Sequence, residues 1–140
     1  MPVHFVPMVA VSEEFSGIDV SSQRLLRDVQ RGYTAFLEAD VLLAKITPCM
    51  ENGKLAVVPK LANHLGYGST EFHVIRATSA VQPQWLAFYF SQEAFRRSAR
   101  KDMTGSAGQL RVSTQWLSRI KLPLAPVSYT HLTLPTKRIV

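Results

Sequence analysis

Three short stretches concentrate the side chains that could do chemistry. Residues 44–54, AKITPCMENGK, bring Lys45, Thr47, Glu51, Asn52 and Lys54 close together. Two lysines, an amide and a hydroxyl are donors suited to phosphate oxygens and base edges. Asparagine can pair bidentately with adenine, lysine can reach guanine, and backbone amides at turns grip phosphates. In residues 103–112, MTGSAGQLRV, Thr104, Ser106, Gln109 and Arg111 alternate with small residues that let a backbone approach a ligand closely. Gln109 is of the type that reads a base edge and Arg111 of the type that meets phosphate. Residues 68–72, GSTEF, place Ser69 and Thr70 after two glycines that flank Tyr67. Each stretch also has a plainer reading: a hairpin with solvated lysines, a helix C-cap with Gly105 in the left-handed position, and the start of a strand.

Catalytic alternatives fail on spacing. Asp40, Glu51 and Lys54 would be the acids and lysine of a metal-dependent nuclease. Two residues separate Glu51 from Lys54, however, and the Asn52–Gly53 pair breaks the strand that should align them. Cys49 with His64 or His73 would make a thiol nucleophile, but no oxyanion-hole feature accompanies them. Cys49 therefore reads as a small packed residue and the histidines as incidental. A single cysteine excludes an internal disulfide and a multi-cysteine zinc site. No glycine-rich cofactor fingerprint follows a strand, and no Asn/Asp-Pro-Pro-aromatic methyltransferase motif occurs.

The charge distribution suggests an anionic partner. The chain of 140 residues carries a net charge of +6. Residues 1–91 hold seven Lys/Arg against eight Asp/Glu, whereas residues 92–126 hold seven against two. Such a local bias suits a polyanion-facing surface, because phosphate contacts supply most non-specific affinity for DNA. A solvated helix face is the competing reading. Apolar runs such as residues 86–90 are too short to span a bilayer, and residues 1–11 lack the pattern of a secretory signal. The expectation is a cytoplasmic protein with no membrane partner.

The elements that must position these stretches can be read in part. Residues 40–46 (DVLLAKI) and 55–59 (LAVVP) look like strands, joined by a loop in which Asn52–Gly53 signals a turn. Residues 71–76 look like a third strand, reached through a loop at Gly66–Gly68. Pro83 opens a helix expected to run to about Lys101, with Trp85, Phe88, Tyr89 and Phe95 facing the core and a basic face on its last two turns. A short helix over residues 113–120 and an extended edge over 120–126 follow. The first third reads as irregular, and residues 21–29 fit either a helix or an extended edge.

These blocks, taken in order with FVPM at residues 5–8 and GYTAF at 32–36, resemble a target-recognition domain from the specificity subunit of type I restriction–modification systems. The resemblance covers residues 5–126. It implies an α+β domain with an irregular, curled sheet and a few helices. It also implies a non-catalytic role, reading one half of a bipartite double-stranded DNA target. The candidate DNA-binding residues are Lys45, Thr47, Asn52, Lys54, Ser69, Thr70, Arg97, Arg100, Lys101, Ser106, Gln109 and Arg111. Implied partners are methyltransferase (modification) subunits and a restriction subunit. S-adenosylmethionine, ATP and magnesium would sit on those partners, with no cofactor or metal in this chain. Two other readings stay open: a recognition domain from a single-chain restriction–methylation enzyme, and a basic adaptor binding RNA or an acidic protein.

The expected domain is residues 1–126. The match stops near Val127, and residues 127–140 resemble the translation of a sequencing adapter more than a folded segment. A chain ended after Pro126 should melt at the same temperature as the full chain. A drop of several degrees, about a kcal/mol or more, would make the tail part of the fold.

Overall fold

The computed structural model describes residues 1–105 and 109–122. Its strands are β1 (Pro2–Val6), β2 (Gln23–Leu25), β3 (Thr34–Leu37), β4 (Val41–Ala44), β5 (Leu55–Val57), β6 (Leu65–Gly68) and β7 (Phe72–Ile75). The helices are α1 (Leu26–Val29), α2 (Pro83–Ser91), α3 (Glu93–Lys101) and α4 (Thr114–Ser118). One sheet has the order β2–β1–β6–β3, with β1 parallel to β6 and the other pairs antiparallel. The second, β5–β4–β7, is antiparallel throughout. The α+β class expected from the sequence is the class observed.

Strand β4 explains the layering. All four of its residues, VLLA, are buried, so both of its faces are covered. An uninterrupted apolar run is what a strand needs when neither face meets water. Leu42, with Ala56 beside it on β5, packs toward the first sheet against Val6 and Phe36. Val41, Leu43 and Leu55 pack the other way, against Leu86, Ala87, Phe90, Phe95 and Ala99 of α2 and α3. The result is sheet on sheet on helices. A third, smaller cluster lies outside the first sheet, where Val3 and Phe5 of β1 meet Val29 of α1.

The first third is more regular than its sequence suggests. Residues 21–29 contain both readings in succession, since β2 pairs with β1 and α1 follows it directly. Gly66 and Gly68 lie inside a strand rather than in a loop, and the reason is tertiary. A Cβ on Gly66 would come within 2.5 Å of the Phe36 ring, and one on Gly68 within 2.5 Å of the Val6 carbonyl oxygen. Glycine lets the buried Phe36 lie flat across β6 where any side chain would collide.

The expected single helix over residues 83–101 is two. Gln92 takes an extended conformation (φ −70°, ψ 142°), closing α2 and opening α3. Leu86, Ala87 and Phe90 form the buried face of α2, and Phe88 is turned outward against Trp85 at a centroid distance of 6.0 Å. Phe95 does face the core. At the loop after β4 only Gly53 of the Asn–Gly pair has positive φ, +76°. The short helix starts as expected at Ser113, whose Oγ accepts the Trp116 N–H at 3.1 Å. The expected edge over 120–126 is described only to Leu122, and residues 127–140 lie outside the described residues.

The tight fit at β6 is testable. Gly66→Ala should destabilise the fold by about 1–3 kcal/mol, the usual cost of forcing extra volume into a filled core. Denaturant titration measures it, and an unchanged midpoint would mean that Phe36 does not lie where described.

Candidate nucleic-acid interface

The three polar stretches meet at one end of the second sheet, and backbone hydrogen bonds join them. The Lys45 N–H donates to the Glu71 carbonyl at 2.9 Å, and the Lys45 carbonyl accepts the Val112 N–H at 2.8 Å. The Thr47 N–H reaches the Leu110 carbonyl at 2.9 Å, and Ile46 forms an antiparallel bridge with Arg111. Arg111 in turn bridges Thr104, bringing residues 104 and 111 together as a small hairpin. Gly105 opens that hairpin with φ +134°, and a Cβ there would lie 2.7 Å from the Gln109 carbonyl oxygen. It is therefore not the left-handed cap of α3, whose last turn is closed by Asp102.

Turns of the backbone wind residues 46–54 back onto themselves. The N–H groups of Met50, Asn52 and Lys54 reach the carbonyls of Ile46, Pro48 and Cys49 at 3.0, 3.0 and 3.1 Å. Met50 is buried in the helix-side core and anchors the loop from below. Thr47 Oγ1 donates to Glu51 Oε2 at 2.8 Å, Asn52 Nδ2 to Glu13 Oε2 at 3.1 Å, and Lys54 Nζ to the Met8 carbonyl at 3.4 Å. Each of these three candidates thus has a partner within the chain. Ser69 Oγ accepts the Glu71 N–H at 3.0 Å, so this hydroxyl shapes the turn, and Thr70 beside it is exposed.

The basic segment is not a bare positive patch. Arg96 is largely covered, its Nη1 donating to the Glu51 carbonyl at 2.9 Å and lying 3.5 Å from Glu14 Oε2. Arg97 pairs with Glu93 on its own helix at 3.8 Å, and Arg100 with Glu51 at 3.7 Å. Arg111 Nε donates to Glu71 Oε1 at 2.9 Å, which raises its already high basicity. Lys101 is exposed and has no ion-pair partner among the described residues. Gln109 is exposed next to Arg111, and Ser106 lies outside the described residues. Glu51 and Glu71 were not among the residues singled out as DNA-binding, although both sit inside the stretches that were. Their acidity in otherwise basic, polar loops was the available signal.

The residues weighed for catalysis are occupied elsewhere. Asp40 is buried, accepts the Leu37 N–H, and receives Arg76 Nε and Nη2 at 2.8 Å each. Among the described residues no group of three or more His, Cys, Asp or Glu could hold a metal ion. The histidines are not incidental. His4 accepts the Ala62 N–H at Nε2, leaving Nδ1 to donate to the Val20 carbonyl at 2.7 Å. His64 lies 2.9 Å from Glu38, and buried His73 donates from Nε2 to the Val112 carbonyl at 2.8 Å. His73 thereby pins the hairpin strand to β7.

Comparison with known proteins identifies the lineage. No family model matches the chain. It is 38% identical over 126 residues to the type I restriction enzyme EcoAI specificity subunit of Escherichia coli, spanning 89% of this chain and 21% of that protein. The EcoEI specificity subunit of the same organism is 35% identical over 125 residues, with 89% and 21% covered. This chain is a homologue of one segment of the type I specificity subunits. It spans about a fifth of the length of those relatives. The fold agrees: the HsdS subunit from Thermoanaerobacter tengcongensis superposes with a TM-score of 0.75 at 19% identity, over 97% of this chain and 35% of that one. A structure describing assembly and conformational transition of the type I R-M system gives 0.73 at 21%, with the same coverage. Among the described residues of this specificity-subunit homologue, no helix is long and apolar enough to cross a membrane.

His73 makes the hairpin's anchorage sensitive to acid. Burial, reinforced by Lys45, holds its protonation below the ordinary histidine value of 6.5 despite the favourable Val112 contact. Above that pH the imidazole is neutral in both folded and unfolded chains and its contribution is complete. As pH falls below it the unfolded chain takes up the proton first, so stability declines until folded His73 also titrates. Melting temperatures of the parent and His73→Gln should converge as pH is lowered from 7 toward 5 (about the range over which histidine titrates). A constant difference would contradict this.

Proposed function

We propose that this chain is a target-recognition segment that reads one half of a bipartite double-stranded DNA target for a type I restriction–modification complex. The observation that carries the reading is the kinship to specificity subunits along nearly the whole chain. The convergence of its three polar stretches supports it. In this reading the segment is non-catalytic and works in the cytoplasm with methyltransferase and restriction subunits. Those partners would hold S-adenosylmethionine, ATP and magnesium.

The side-chain arrangement divides the labour. Lys101, exposed and lacking a counter-charge among the described residues, is the best placed phosphate contact, with Arg97 and Arg100 beside it. Gln109 and Arg111 lie on the hairpin, nearer the bases. Lys45, Thr47, Asn52 and Lys54 border the duplex from the adjoining loop, with Ser69 and Thr70 at its margin. Because glutamates oppose most of the arginines, non-specific affinity should be modest, and specificity should come from base edges rather than from charge.

Binding measurements on an intact specificity subunit carrying this segment test the reading. Lys101→Ala should weaken all duplexes alike and reduce the salt slope by about one. Gln109→Ala should cost about 1–3 kcal/mol on the cognate half-site and relax discrimination there. If Arg100→Ala, Lys101→Ala and Arg111→Ala leave affinity and salt dependence unchanged in a folded protein, the basic segment is only a solvated face and the duplex must lie on the 45–54 loop instead. Methyl transfer or DNA cleavage by the chain without partner subunits would contradict the recognition reading itself.

A further inference from the structure

One chain of contacts links all three polar stretches through side chains as well as backbone. Ser69 Oγ accepts the Glu71 N–H at 3.0 Å and thereby shapes the turn that carries Glu71. The Glu71 carbonyl accepts the Lys45 N–H at 2.9 Å, which ties that turn to the end of β4. The Glu71 carboxylate then takes Arg111 Nε at 2.9 Å, while Arg111 Nη1 reaches the Gln109 carbonyl at 3.3 Å. The Arg111 backbone is fixed independently, paired in both directions with Thr104 at 2.9 and 3.1 Å.

What remains unused defines what the residue can bind. Nε and one N–H of Nη1 are committed, so the outer edge of the guanidinium, from Nη1 to Nη2, keeps its donors. Among the described residues Nη2 has no hydrogen-bond partner, and the Arg111 side chain is 41% exposed. Two parallel donors at the end of a rigid arm match the adjacent O6 and N7 acceptors of guanine in the major groove. Holding the arm beforehand avoids the rotamer entropy that a free arginine loses when it docks. A phosphate-seeking arginine gains little from a carboxylate at its back, because the carboxylate repels the phosphate backbone.

Resting on the DNA-recognition reading above, we propose that Arg111 reads one guanine of the half-site and that Glu71, supported by Ser69, is a positioning residue that sets its orientation. Glu71 does not itself touch the base. Its negative charge has a second effect, opposing non-specific association, so it improves discrimination from both sides.

The test uses a specificity subunit carrying this segment, assembled with its modification partners. Its probes are a set of duplexes in which each base pair of the half-site is replaced in turn, together with an unrelated duplex. Arg111→Ala should flatten the preference at one G·C pair by roughly ten- to a hundredfold. Arg111→Lys, which keeps the charge but loses the fork, should flatten the same position. Glu71→Gln should flatten that position by a smaller factor while binding the unrelated duplex as well as or better than the parent. A merely structural role would weaken both. Ser69→Ala, which leaves charge unchanged, should give a weaker form of the same loss and serves where Glu71→Gln lowers the melting temperature. The inference is overturned, with the recognition reading intact, if specific binding persists and no G·C preference depends on Arg111. It is overturned equally if that preference survives both Glu71→Gln and Ser69→Ala. An unaltered subunit with no preference for any duplex would remove the recognition reading itself.

Discussion

Everything in this molecule is arranged around a strand that cannot touch water. β4 contributes Leu42 to one core and Val41 and Leu43 to another, so it must have a layer on each side. The first sheet supplies one layer and α2 and α3 supply the other. Burial of each such side chain stabilises by about 1.5–3 kcal/mol, which no single surface contact in the molecule can match. The constraint also fixes where polar chain can go. Residues leaving β4 after Ala44 must escape at the end of the sandwich, and there the loop over 45–54, the turn before β7 and the 104–111 hairpin are brought together.

At that end, electrostatics are used for orientation more than for attraction. Exposed ion pairs contribute little to stability, typically up to about 1 kcal/mol. The pair Arg97–Glu93 is of this exposed kind, whereas Arg100 meets a Glu51 carboxylate that is largely covered. Their larger effect is to offset the positive charge of α3 and to limit how arginine side chains can swing. The local charge count overstates the positive character of this segment, because three of the four glutamates that pair with its arginines come from elsewhere in the chain. Glu14, Glu51 and Glu71 all belong to the nearly neutral first part of the sequence and reach the basic segment only after folding.

How much was legible follows the same division between local and distant causes. β4, β5 and β7 could be read because VLLA and LAVV are apolar, branched runs beside turn residues, and β7 sets Phe72, Val74 and Ile75 around its histidine. β6 could not, because LGYG reads as a loop until Phe36 is known to cover it. The helix over residues 83–101 was found but not its break, since Gln92 carries no glycine or proline signal and the bend serves packing by Phe90 and Phe95. The assignment of Phe88 to the core followed from treating the two helices as one. At the site, the polar stretches were legible as unusual loops, and the family resemblance grouped them. The bridge between Ile46 and Arg111 was not legible, because sixty-odd residues intervene and nothing in either stretch names the other. Nor could Ser69, Thr47 and Asn52 be told from exposed contacts until their partners Glu71, Glu51 and Glu13 were in view.

The parallel pairing of β1 with β6 carries a consequence for how the chain comes to be folded during its own synthesis. β1 occupies the interior of the first sheet, between β2 and β6, with Phe5 opposite Tyr67. Its antiparallel neighbour β2 leaves the ribosome early, but its parallel neighbour is made some sixty residues later. At translation rates of about 5–20 residues per second, that delay is on the order of several seconds. Throughout it one edge of β1 has no partner, and a two-stranded ribbon is only marginally stable in water. Loop closure over that distance also slows the pairing itself. The emerging chain thus holds a strand in waiting, open to mispairing, and the interval closes only when Leu65–Gly68 emerges.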